Sequence, residues 1–180
     1  MTEARHFEDA LARLVALFQK RRIPHALIGG LAVAAWGTPR ATEDIDLLAD
    51  ASPSAELDRD LRATGFQAEW RRGDADDPIP LLLRLWSASG PEIDVVCVTR
   101  EWEREMLTRA ILIRLTGGPE ASVVTLEDLI VLKLMAGGPG DLADVTDLLP
   151  HAGSLLELEK RASARGVLDL LRQVRASTGE

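Results

Sequence analysis

Residues 26–50 read ALIGGLAVAAWGTPRATEDIDLLAD, and the fold turns on this stretch. A short apolar run, Ala26-Leu27-Ile28, breaks at Gly29-Gly30 and gives way to helix-forming residues from Leu31 to Trp36. After the turn Gly37-Thr38-Pro39, a second apolar run carries two acids, Asp44-Ile45-Asp46-Leu47-Leu48. Aspartate is a poor strand former, so two of them in an apolar strand need a reason beyond local propensity. Alternation puts Asp44 and Asp46 on one face and Ile45 and Leu47 on the other, the acids' Cα atoms roughly 6.5 Å apart. That spacing lets two carboxylates converge on one divalent ion or a close metal pair.

The surroundings of the two acids carry further polar residues. Gly29 and Gly30 precede a helix, so their N–H groups can face a phosphate that the missing side chains allow close to the main chain. A tight strand-to-helix turn accounts for them equally, and both readings can hold together. Arg40 can pair with a phosphate or with Glu43 or Asp44, and Thr42 suits local turn chemistry. A third acid in an apolar run is Asp94, in Glu92-Ile93-Asp94-Val95-Val96, with Glu92 on the same face. Lys133 interrupts the apolar helix Ile130-Val131-Leu132-Lys133-Leu134, where it either snorkels to the surface or meets an anion.

Ile28-Gly29-Gly30, a short helix, then Asp44-Ile45-Asp46-Leu47 together resemble the nucleotidyltransferase superfamily. The resemblance is nearest to the minimal nucleotidyltransferases and the AbiEii toxin-like group. It implies a mixed sheet of four to five strands flanked by helices, and Mg²⁺ (or Mn²⁺) held by Asp44 and Asp46. It also implies a third carboxylate on a neighbouring strand, a role matched by Asp94 as general base or further metal ligand. The nucleotide would meet Gly29, Gly30, Arg40 and Thr42, and Lys133 with Asp141 or Asp144 looks like the lysine–aspartate pair of the toxin-type members. Gly30 stands where many relatives carry serine, so that hydroxyl contact is missing.

Composition sets the wider frame. The 180 residues, 46% apolar and 28% charged, favour one domain or a compact core with a helical extension. No apolar run reaches transmembrane length, and Met1-Thr2-Glu3-Ala4-Arg5-His6 lacks signal-peptide character, so the expected location is the cytoplasm. The single cysteine, Cys97, excludes an internal disulfide and sits in an apolar run as a buried thiol. A net charge of −8 argues against broad electrostatic binding to nucleic acid.

Along the chain, Thr2 to Arg22 has an amphipathic helical stripe of Phe7, Leu11, Leu14, Val15 and Phe18. Ser52-Pro53 opens a helix stopped by Gly65, and Phe66 to Arg71 reads as a strand. Pro80 to Trp86 and Glu92 to Val98 form a hairpin, and Arg100 to Arg109 a helix. Short β candidates lie at Ile111 to Leu115 and Ser122 to Val124, beside the Gly117-Gly118-Pro119 turn. From the capping signal Thr125-Leu126-Glu127-Asp128 onward the pattern is helical, stopping at Gly137 and Pro150 and resuming at Ser154 and Val167. The reading is an α/β (α+β) chain with a nucleotidyltransferase core at 1–124 and a helical part at 125–180 packed on it.

The expected function is transfer of NMP from an NTP to an acceptor hydroxyl on a protein side chain, a tRNA 3′ end or a small molecule. A role in a toxin–antitoxin module, with a cognate partner protein, is one setting for it. The rival is a catalytically inactive binding protein of the same fold, such as an antitoxin partner. A third reading, a metal-dependent phosphohydrolase, needs a water-positioning group that the sequence does not identify.

Overall fold

Strand alternation is what builds the sheet. In Leu81–Trp86, residues Leu81, Leu83 and Leu85 are buried and the intervening ones half-exposed; Ile93–Cys97 repeats the pattern with Ile93, Val95 and Cys97 inward. The computed structural model describes residues 3–38, 42–74, 77–88, 90–115 and 119–178. Its strands are β1 (His25–Leu27), β2 (Ile45–Ala49), β3 (Gln67–Arg72), β4 (Leu81–Trp86), β5 (Ile93–Cys97), β6 (Ile111–Arg114) and β7 (Glu120–Val123). They form one mixed sheet in the order β3-β4-β5-β2-β1-β7-β6.

Seven strands replace the expected four to five. The added pair is β6–β7, an antiparallel hairpin that docks on the core because β7 runs parallel to β1, Leu27 facing Val123. Both segments were β candidates in the sequence; the parallel join to a strand almost a hundred residues earlier was not. β2 runs antiparallel to β1 and parallel to β5, so the strand carrying Asp46 lies centrally, beside the strand carrying Asp94.

The helices are α1 (Glu3–Arg21), α2 (Gly29–Ala35), α3 (Ala55–Ala63), α4 (Glu101–Arg109), α5 (Leu126–Ala136), α6 (Pro139–Leu148), α7 (Leu155–Ala164) and α8 (Leu168–Thr178). Leu11, Leu14, Val15 and Phe18 of α1 are buried at the i, i+3, i+4, i+7 spacing of a core-facing stripe. Each contributes about 1.5–3 kcal/mol relative to exposure. α3 starts later than Ser52-Pro53 suggests: Ser54 is its cap and accepts from the Leu57 N–H. α2 begins at Gly29 itself, so the glycine pair forms its first turn instead of preceding it.

Thr125 caps α5 by accepting from the Asp128 N–H, and Gly137, with φ +67°, ends that helix in the left-handed conformation. α5 packs against α2, α6 and α7, and the Trp36 indole N–H donates to the Val124 carbonyl at 3.0 Å. One continuous apolar core includes residues of α1, of the sheet and of the last four helices. Cys97 is buried at 1% exposure, and burial pushes its thiol up to about 12. Among the described residues, no helix is long and apolar enough to cross a membrane.

Candidate functional site

The site is organised by Asp46 and the chain reversal at Gly29. Gly29 has φ +61°, a left-handed conformation that glycine adopts without strain, and a Cβ there would overlap the Asp46 carboxylate. The next backbone N–H, that of Gly30, donates to the same carboxylate. The glycine pair therefore seats an acid against the first turn of α2. Burial, with the charges of Asp44 and Asp94 added, raises the Asp46 carboxyl from 3.8 to about 6. Lys133 and the Gly30 N–H pull the other way and lose.

Asp94 stands directly opposite Asp46 in the parallel β2–β5 register, and Arg84 stands opposite Asp94 across the antiparallel β4–β5 pair. Asp46, Asp94 and Arg84 thus form one row across three strands. The Arg84 guanidinium donates through Nε to Asp94 Oδ1 and through Nη2 to Oδ2, both at 2.8 Å. Its Nη1 lies 3.2 Å from Glu92 Oε1. Asp94 of β5 and Glu92 just ahead of that strand are accordingly both tied to one arginine.

Asp44 lies just ahead of β2 and is exposed; Thr42 Oγ1 donates to its Oδ1 at 2.8 Å and to its carbonyl at 3.1 Å. Thr42 is in this structure a local brace for Asp44. Arg40 lies outside the described residues. Lys133 does not snorkel: its side chain is 11% exposed, with Nζ 2.8 Å from Asp141 Oδ1 and 2.9 Å from Asp144 Oδ2. Burial works against its charge, but those two acids outweigh it and hold the ammonium above its ordinary range. Lys133 is also close enough to act electrostatically on Asp46, which joins α5 and α6 to the acid row.

Asp46, Asp44, Asp94, Gly29, Gly30 and Lys133 are thus gathered at one end of the central strands. Hard carboxylate oxygens of this kind suit Mg²⁺, and the Asp46 carboxyl is raised by burial first and by the nearby acids second, a cost that a cation would offset. Yet among the described residues no three acids, histidines or cysteines are arranged as one ligand set. Arg84 is the residue the sequence reading missed. Its signal was present: an arginine inside Leu81-Leu82-Leu83-Arg84-Leu85-Trp86 is as anomalous as an acid in such a run. A cleft of about 220 Å³ between α4, α5 and α7, lined by Trp102, Met106, Arg109, Asp128 and Arg161 among others, shares none of the site residues.

Over residues 10–94 the sequence matches the aminoglycoside-2''-adenylyltransferase family. No curated protein matches it in sequence. Among solved structures, that of the antibiotic-resistance factor ANT(2'')-Ia is similar at a TM-score of 0.60 and 14% identity, covering 93% of this chain and 95% of that one. An antigenic nucleotidyltransferase-like protein from Paracoccidioides brasiliensis gives 0.54 at 16% identity, covering 98% and 93%. The lincosamide antibiotic adenylyltransferase LnuA, with lincomycin bound, gives 0.53 at 16% identity, covering 78% and 95%.

Proposed function

We propose, from the premise that the chain has the nucleotidyltransferase fold and fits the superfamily that residues 26–50 resemble, that it transfers a nucleoside monophosphate from an NTP to an acceptor hydroxyl. The observation that carries the reading is the in-register pair Asp46 and Asp94 on adjacent parallel strands, with Asp44 at the mouth of β2. Asp44 and Asp46 would hold Mg²⁺ or Mn²⁺, whose chemistry there is to neutralise and orient the triphosphate. Gly29 and Gly30 seat the Asp46 carboxylate against the first turn of α2, where it can face the metal-bound triphosphate. Asp94 takes the proton of the acceptor hydroxyl as its oxygen bonds to the α-phosphorus and the bond to pyrophosphate breaks. Lys133, held between two acids, adds fixed positive charge behind the row.

The acceptor we favour is a small hydroxylated molecule, since the matching family and LnuA are named for antibiotics. A cationic one suits a chain of net charge −8. The test incubates the protein with each α-labelled NTP and Mg²⁺ or Mn²⁺, offering aminoglycosides, lincosamides, tRNA and a protein lysate in parallel. Label on an antibiotic supports the reading; label on tRNA or protein moves the acceptor to a macromolecule and favours a toxin-like role. No label on any acceptor, with metal–NTP binding intact, would favour the inactive binding protein instead.

A further inference from the structure

The two edges of the sheet are finished differently. At the β3 edge Gln67, Glu69, Arg71 and Arg72 are exposed, and charged side chains of that kind keep an open edge from pairing with another strand. At the β6 edge Ile111 and Leu112 are 41% and 64% exposed, and the strand carries no acid. We propose that β6 is the seam of a homodimer, in which two copies of this chain join antiparallel about a two-fold axis at Leu112 and their sheets become one.

Backbone geometry selects the occupant. An antiparallel strand points the N–H and C=O groups of alternate residues to opposite sides. The Leu115 N–H donates to the Pro119 carbonyl, continuing the register that sets Ile113 against Ala121 and Ile111 against Val123. Ile111, Ile113 and Leu115 therefore spend their backbone groups on β7, and those of Leu112 and Arg114 point to the open side. Another extended strand answers such a row, and a two-fold axis supplies one from a second copy. An open-side residue must face an open-side residue, so the axis passes at a residue and never between two. With the axis at Leu112, each Leu112 N–H donates to the other copy's Leu112 carbonyl, and each Arg114 N–H to the other's Ala110 carbonyl. Leu112 then faces Leu112 and Ile111 faces Ile113, apolar against apolar. With the axis at Ile113, Leu112 would face Arg114 instead.

Charge and area agree with this seam. A chain of net charge −8 repels its own copy over most of its surface, whereas on β6 the one charge, Arg114, is matched by Glu120 at 3.0 Å. A stable interface takes about 800 Å² from each partner, more than four residues of strand supply. The start of α7 offers more, since Leu155 and Leu156 are 44% and 80% exposed. The Ser154 N–H before them donates to Glu127, at the start of α5 just beyond Val123. Four of the six large apolar side chains exposed among the described residues thus flank one end of α5.

Sedimentation equilibrium of the full chain over a concentration series measures the association, and residue-resolved amide hydrogen exchange locates it. The wild type should form dimers and nothing larger. With rising concentration the Leu112 and Arg114 amides should slow, while those of Ile111 and Ile113, already bonded to β7, stay unchanged. Leu112→Lys, at an exposed side chain, should melt like dilute wild type and lose the dimer, because two like charges would meet across the axis. Leu112→Glu is the second variant if the lysine protein fails to fold. A wild type that stays monomeric at every concentration overturns the proposal and leaves the edge to a strand of another protein. A dimer that survives Leu112→Lys with those two amides unprotected overturns it too, placing the contact on another face. Open-ended oligomers would do the same, since they would mean β6 meeting β3.

Discussion

Asp46 is held between opposite influences, and they set its pH behaviour. Unfolded, its carboxyl titrates near 3.8; folded, it titrates at about 6, because burial and neighbouring acids disfavour its charge. The folded state therefore binds this proton more tightly. Its contribution to stability is fully present below about pH 3.8 and is lost as pH rises through about 6. Asp46→Asn should melt above wild type at about pH 8, with the gap closing towards about pH 4; thermal melts without metal check this, and an equal gap at both pH values would contradict it. Gly29→Ala combines a left-handed backbone with a Cβ against Asp46, whereas Gly37→Ala, at φ +98°, meets open space. Denaturant unfolding should show the Gly29 variant losing more, by about 1–3 kcal/mol against roughly 1 for Gly37. Asp94→Asn should keep NTP binding within a few-fold and lose roughly 10²–10⁴ in transfer rate, while Asp44→Asn should lose both. If Glu92→Gln abolishes transfer and Asp94→Asn does not, the base is Glu92, just ahead of β5. The acids and glycines were legible at this scale because each violates local propensity. The partners of Asp94 and Lys133 were not, because register and helix packing choose them.

Between elements, the clearest tie is Asp128 on α5, at 1% exposure. Its carboxylate accepts from Arg109 of α4 at 3.1 and 3.2 Å, lies 3.0 Å from Arg161 of α7, and accepts from Thr125 at 2.9 Å. The sequence presents Asp128 only as a cap residue near Thr125; its burial follows from two helices delivering arginines to it. A buried acid is tolerated when it is paired, and removing one side leaves charges uncompensated. Asp128→Ala should therefore cost about 3 kcal/mol in denaturant unfolding, and Asp128→Asn less. A loss below roughly 0.5 kcal/mol would mean the pairs contribute little net stability, as exposed ones commonly do. The β4–β5 hairpin was legible from its two alternating runs around Ser87 to Pro91; its register, which sets Arg84 opposite Asp94, was not. The α3 start was misread because Ser52-Pro53 offers a cap and a helix-opening proline two residues before Ser54.

Across the whole molecule, the parallel pairings β2–β5 and β1–β7 join segments far apart in the chain. Nothing local in the sequence announces such joins, which is why the positions of the seven strands were legible and their assembly into one sheet was not. The apolar core runs without a break from Leu11 of α1 through Val95 of β5 to Leu171 of α8. Unfolding should accordingly be a single cooperative transition in which circular dichroism and tryptophan fluorescence coincide; two separated transitions would mean that the last helices melt apart from the sheet. Cys97 turns that continuity into a measurement. A thiol raised to about 12 is almost wholly protonated at neutral pH, and protein covers it on all sides. The chain therefore carries one silent nucleophile on the strand that also bears Asp94. Alkylating reagents will mark it only in molecules whose central strands have come apart, so labelling rate under native conditions times the opening of the strand that bears Asp94.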